Sequence, residues 1–159
     1  MKKLYAFWVR CLTILLYPLT AAILHNSRRV RVLVIAGDKA LLQRTSVGSQ
    51  HWSIPGGGVK KNEDDKSAAV REIAEEVGIH ITADQLKLLG EDYRPENTRH
   101  RWPTFTRVYF VARLSQPVAP KIERPLEILE ARWFSLDDLP RYENKTIQTA
   151  LTLLKNSSS

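Results

Sequence analysis

Gly57–Ile79 reads GGVKKNEDDKSAAVREIAEEVGI, a glycine turn followed by a helix with a dense acidic stretch. The spacing predicts a helix over Asp65–Val77, stopped by Gly78. Glu72, Glu75 and Glu76 stand at i, i+3 and i+4, so they share one face. Val70, Ile73 and Val77 point to another face and can anchor the helix to a core. Three carboxylates this close repel one another, and without a partner at least one binds a proton more readily. A hard divalent cation removes the conflict, and oxygen ligands suit magnesium or manganese. Arg71 adds a fixed positive charge able to orient a neighbouring glutamate. Gly56–Gly58 permit backbone angles closed to other residues and close approach of a ligand, and a backbone carbonyl there is a further candidate metal ligand. For a bare E-x-x-E-E the default is a solvated acidic face, so the surrounding pattern decides the matter.

Outward from this stretch the chain reads as strands with a turn of helix that Ser135 can cap and one further helix. Val30–Ala36 is a valine-rich buried strand, Gly37-Asp38 a turn, and Ala40–Arg44 its partner. Ser46–Gln50 is a polar loop, and Trp52–Pro55 leads into the glycines. Leu86–Tyr93 and Thr104–Leu114 alternate as strands on either side of a basic loop, Arg94–Pro103. Ala131–Phe134 is a further short strand, and Thr146–Lys155 an amphipathic helix. This mixture implies an α/β sandwich.

The chain has 159 residues, enough for one domain with one core. Hydrophobic residues at 43% and charged residues at 26% are ordinary for a globular protein. The single cysteine, Cys11, excludes an internal disulfide and a zinc site built on several cysteines. A reducing cytoplasm is the expected compartment. A net charge of +7 favours anionic partners without naming one. The glycine-to-lysine spacing at Gly56–Lys60 is not that of a P-loop. No G-x-S-x-G nucleophile motif occurs, and the four histidines show no ligand spacing.

The stretch resembles the Nudix box, G-x5-E-x7-R-E-U-x-E-E-x-G-U with U a bulky aliphatic residue. Gly57, Glu63, Arg71, Glu72, Ile73, Glu75, Glu76, Gly78 and Ile79 fill every fixed position. The flanks resemble the family as well, through Val30–Arg44, Trp52–Gly58 and Glu127–Leu139. The likeness thus runs from about Arg29 to Leu139. It implies a Nudix-type α/β/α sandwich with a mixed sheet. It also implies magnesium-dependent hydrolysis of a diphosphate linkage in a nucleoside diphosphate derivative: a nucleotide sugar such as ADP-ribose, a dinucleotide or a nucleoside triphosphate. By resemblance, Glu72, Glu75 and Glu76 bind Mg2+, with Mn2+ as a substitute and the Gly57 or Gly58 carbonyl assisting. The base is drawn from Glu76, Glu75 and Glu127, of which Glu127 is favoured over Glu130 as the carboxylate outside the box. Glu63 and Arg71 support the loop–helix junction. Candidate substrate contacts are Arg44 and the basic-loop residues Arg94, Arg99, His100, Arg101 and Trp102, arginines for phosphate and the tryptophan for stacking.

Two rival readings remain. One is a Nudix-fold module that senses a nucleotide without cleaving it, expected to lose box carboxylates that this chain keeps. The other is an RNA-end pyrophosphohydrolase; the charge permits it, but no aromatic-rich surface for RNA is evident, and nucleic acid is not the expected partner. Residues 1–28 stand outside the likeness as an apolar and basic segment expected to form an extra N-terminal helix. Residues 29–155 form the expected domain, and 156–159 a disordered tail. Arg10 and Pro18 argue against a spanning helix over 1–24. Packing on the domain or in a homodimer is the first expectation, and peripheral membrane contact the second.

Overall fold

The computed structural model describes residues 26–46, 51–95, 104–140 and 145–157. The expected N-terminal helix therefore lies outside the described residues, as do Arg99, His100, Arg101 and Trp102. Six strands and two α-helices follow in chain order: β1 (Ser27–Ala36), β2 (Lys39–Thr45), β3 (Trp52–Ser53), α1 (Asp65–Val77), β4 (Leu86–Pro95), β5 (Thr104–Leu114), β6 (Ile128–Ser135) and α2 (Lys145–Asn156). A short 3-10 turn at Ala83–Gln85 leads into β4.

The sheet is mixed. β1 runs parallel to β5 over ten residue pairs, from Ser27 beside Phe105 to Ala36 beside Leu114. β4 pairs antiparallel with β5 on the far side. β1 and β2 pair only next to their turn, at Ile35–Ala40 and Ala36–Lys39. They then splay, and β2 takes β6 and β3 as partners. The wedge between β1 and β2 is filled by the chain that follows β3. Val32 N donates to the Pro55 carbonyl, Val30 N to the Gly57 carbonyl, and Val59 N to the Arg28 carbonyl, each at 2.9 Å. The glycine segment is thus laced to β1. Gly56 is required in this wedge: its φ is +137°, and a Cβ would sit 2.2 Å from the Val30 carbonyl oxygen.

Alternation along the central strands assigns one core to each face. Val30, Val32 and Val34 join Val108, Phe110 and Ala112 under α1, which contributes Ala68, Ala69, Ile73 and Val77. Leu33 and Ile35 join Tyr109 and Val111 on the other face, under Ile147 and Ala150 of α2. The result is the expected α/β/α sandwich.

α1 has the bounds that its capping residues imply. Asp64 accepts from Lys66 N and Ser67 N, both at 3.0 Å, and so satisfies two free amides of the first turn. Gly78 closes the helix in the left-handed region, with its N–H on the Ala74 carbonyl. Other elements overrun the stretches marked by apolar patterning. β1 begins at Ser27 rather than Val30, β6 at Ile128 rather than Ala131, and α2 continues through Asn156, where a tail was expected. Backbone pairing with β5 and β2 carries the polar ends of β1 and β6, and pairing needs no apolar side chain. Among the described residues no helix is long and apolar enough to cross a membrane.

Candidate active site

The last two turns of α1 bring Glu72, Glu75 and Glu76 to the glycine segment. Glu76 is 3% exposed and Glu72 6% exposed. Glu76 Oε2 accepts from the Gly56 N–H and from the Gln43 side-chain amide, both at 2.8 Å. Burial dominates over these two bonds and pushes Glu76 up to about 7. Glu72 presses against the turn itself: a Cβ at Gly57 would lie 2.5 Å from its carboxyl carbon. Glycine at 57 is what lets the carboxylate pass so near the main chain.

Arg71 ties the loop to the helix. Its guanidinium grips Glu63 with two bonds, at 2.8 and 2.9 Å, and donates to the Gly58 carbonyl at 2.9 Å. The same group donates to Glu72 Oε1 at 2.7 Å and to Glu75 Oε2 at 3.1 Å. Glu63 also accepts from Lys60 N, and with Arg71 beside it its carboxyl is held down to about 2. From the turn that precedes β6, Arg124 reaches across to Glu75, lies 3.8 Å from Glu72 and 3.3 Å from Glu127. Two arginines therefore neutralise the pair Glu72 and Glu75, while Glu76 turns inward to Gly56 and Gln43.

Among the described residues no three acidic, histidine or cysteine side chains stand in a ready-made metal-ligand arrangement. The donor chemistry nevertheless suits a hard divalent cation, because Glu72 and Glu75 are adjacent carboxylate oxygen donors, held in this structure by Arg71 and Arg124. The Gly57 carbonyl is engaged by Val30 N and the Gly58 carbonyl by Arg71.

A model of the NUDIX domain matches residues 25–153. The chain belongs to the Nudix family. This Nudix chain is 33% identical over 141 residues to mRNA-decapping enzyme subunit 2 of Arabidopsis thaliana, across 87% of its own length and 33% of that protein. It is 32% identical over 102 residues to mouse diphosphoinositol polyphosphate phosphohydrolase 3-alpha, across 64% of its own length and 57% of the relative. A 38-residue stretch is 47% identical to RNA pyrophosphohydrolase of Sphingopyxis alaskensis, 24% of each chain. The chain thus spans less than two thirds of each of these relatives. Among solved structures, a MutT Nudix hydrolase from Burkholderia pseudomallei superposes with a TM-score of 0.71 at 23% identity, covering 82% of this chain and 98% of the other. The Nudix domain of Shewanella oneidensis NrtR, solved with ADP ribose, superposes with a TM-score of 0.68 at 17% identity, covering 84% and 89%. At these identities the likeness to solved structures is one of fold.

Of the residues singled out from the Nudix box, the structure gathers Glu63, Arg71, Glu72 and Glu75 around one guanidinium. Glu127 joins them through Arg124, with its side chain 55% exposed. Arg44 stands elsewhere, bonded to Glu130 Oε2 at 2.6 Å and stacked 5.3 Å from the Trp52 ring. Glu130 also pairs with Arg132. Sequence reasoning missed Gln43 and Arg124. Gln43 had left a trace: it is a polar residue in an apolar strand, now 1% exposed and bonded to Glu76. Arg124 left none, since only the fold brings its turn over α1.

Proposed function

We propose that this Nudix chain hydrolyses a diphosphate linkage in a nucleoside diphosphate derivative, with magnesium as its cation and manganese as a substitute. The observation that carries this reading is the pairing of two carboxylates, Glu72 and Glu75, next to a third whose proton affinity is raised by burial. Glu72 and Glu75 would hold the ion, with Glu76 beside them. When bound, the ion neutralises the diphosphate and lowers the pKa of a water. In the metal-free chain burial raises the proton affinity of Glu76, and a buried carboxylate fixed by Gly56 and Gln43 suits the role of general base. Its Oε2 is fixed by Gly56 and Gln43, so Oε1 is the atom available to take a proton. Arg71 keeps Glu72 and Glu75 oriented and fixes the loop through Glu63. Arg124 sits where it can pass from carboxylates to the anionic substrate once a cation takes its place. The relatives named above for pyrophosphohydrolase and phosphohydrolase activity support the reaction class.

Cleavage at the 5′ end of an RNA is a second reading, favoured by the decapping and RNA pyrophosphohydrolase names of two relatives. A magnesium-dependent phosphate-release screen over nucleotide sugars, dinucleotides, nucleoside triphosphates and a 5′-triphosphorylated RNA tests both. Turnover of the small nucleotides supports the first reading, and turnover of the RNA alone replaces it with the second. Turnover of none of them would overturn both.

A further inference from the structure

The alternation that sends Val30 and Val32 toward α1 sends Arg29 and Arg31 to the opposite face, with Leu33 and Ile35. The parallel register sets Arg107 beside Arg29 and Tyr109 beside Arg31. The antiparallel register sets Asp92 beside Arg107. Arg29 and Arg107 both bear on the Phe105 ring, 5.8 and 5.0 Å from its centroid. Arg31 donates to the Gly56 carbonyl, so this cluster adjoins the back of the segment whose Gly56 N–H holds Glu76.

The charges in the cluster do not balance among the described residues. Among the described residues Asp92 is the one carboxylate within ion-pair distance of the three, 3.4 Å from Arg107 Nε. The Tyr109 hydroxyl also bonds to Asp92, at 3.4 Å. Arg107 is 9% exposed. The Nε of Arg29 is buried without a hydrogen-bond partner, whereas that of Arg107 has Asp92 Oδ1 as its ion-pair partner. Burial, with Arg29 nearby, pushes the Arg31 guanidinium down to about 10, against the pull of Glu76. A surplus of positive charge gathered around the buried Arg107, with Arg29 and Arg31 partly buried, is costly unless an anion shares the space. Arginine does not shed its proton at working pH, so the surplus persists.

We propose that Arg29, Arg31 and Arg107 form a subsite for a phosphate group that the substrate carries in addition to the diphosphate that is cleaved. The inference rests on the hydrolysis proposed above and narrows its substrate class, because it favours a polyphosphorylated molecule over one whose remainder is a neutral sugar. Guanidinium forks match phosphate oxygens, and three of them offer more donors than a single phosphate fills. An open cleft of about 370 Å³ on α2, lined by Lys145, Gln148, Thr149, Thr152 and Leu153 and by none of the three arginines, shares Thr149 with the neighbourhood of Tyr109. The Thr149 side chain bonds to Tyr109, next to the arginines. A phosphorylated small molecule and a 5′-triphosphorylated RNA end both present the group in question.

The test is titration of the full chain in EDTA with myo-inositol hexakisphosphate, which bears phosphate monoesters and no diphosphate bond. Binding is expected, weakened roughly tenfold by Arg29→Gln or Arg107→Gln and with a shallower salt dependence in either variant. Arg29→Lys keeps most of the affinity. Without the anion, the same Gln variants melt at or above the wild-type temperature, because one charge of the surplus is gone; a merely structural arginine would lower it. If Arg107→Gln does not fold, the less buried Arg29→Gln carries the test. Absence of binding by the wild type, or wild-type affinity in a folded Arg29→Gln protein, would overturn the proposal. Displacement of the probe by inorganic tripolyphosphate supports a small-molecule source, and displacement by triphosphorylated RNA alone supports an RNA end. Retained binding without magnesium-dependent hydrolysis would remove the reaction while leaving the subsite standing.

Discussion

Glu75 and Glu76 are chain neighbours, yet one faces arginines and half-exposure while the other faces a backbone amide and burial. That difference separates their predicted phenotypes. Folding raises the affinity of Glu76 for a proton from 4.5 to about 7. Between those values the folded state holds more protons than the unfolded state, so stability falls as pH rises through the window. In metal-free buffer Glu76→Gln removes this loss. It should melt like wild type below about pH 4.5 and higher than wild type near pH 8, by at most about 3 kcal/mol. Its turnover should fall on the order of a hundredfold or more. Thermal melts across pH, beside kcat, check both halves; a variant as active as wild type removes Glu76 from the chemistry. Glu127 and Glu130 make a second contrast. Glu127 is exposed and shares Arg124 with Glu75, whereas Glu130 is committed to Arg44 and Arg132. Glu127→Gln should lower kcat with little change in melting temperature, and Glu130→Gln should leave kcat intact. Magnesium titrations of both variants decide this, and a defect confined to Glu130→Gln reverses the assignment.

At the scale of elements, the junction between the glycine segment and α1 depends on Glu63 and Arg71. Because Arg71 holds the Glu63 carboxyl down to about 2, its stabilising effect is present above 4.5 and is lost as pH falls toward 2. Glu63→Gln should therefore cost on the order of 1–3 kcal/mol at neutral pH and nothing in strong acid. Parallel melts at the two pH values check this, and an equal deficit at both would mean lost packing rather than lost charge. α1 itself was legible in the sequence because its signals are local: Asp64 and Gly78 mark its ends within the chain that forms it. The grouping of Arg71, Glu72 and Glu75 was legible for the same reason, since helical spacing puts them together, whereas Glu63 joins from outside the helix through Arg71 and Glu76 turns inward to Gln43. The start of β1 at Ser27 was not, because β5 supplies the pairing. Nor was the placement of Arg44: periodicity marked it as a strand residue, but only the register of β2 against β6 brings Glu130 to it. The cluster of Arg29, Arg31 and Arg107 was not legible either, because it depends on a parallel pairing of β1 with β5 that no local pattern encodes.

At the scale of the whole molecule, the net charge of +7 is unevenly used. The box carboxylates absorb Arg71 and Arg124, while among the described residues the arginines on the far side of the sheet lack an equal number of acids. Residues 1–24 add an apolar and basic stretch of their own, and we propose that it associates peripherally with a surface or a partner copy. The protein should then be extracted by high salt or alkaline buffer, and recovery only in detergent would count against this. The ten-pair ladder between β1 and β5 has one more consequence, in biosynthesis. β1 leaves the ribosome early, but the strand that completes it emerges only after α1 and β4 have been made. Until Leu114 is free, Val30–Ala36 has no partner along one edge, and an unpaired apolar strand is a template for association between chains. Chains halted before Thr104 should therefore aggregate and draw on chaperones, whereas chains that extend past Leu114 should close the ladder and stay soluble, a difference that pulse-labelled translation of staged truncations would reveal.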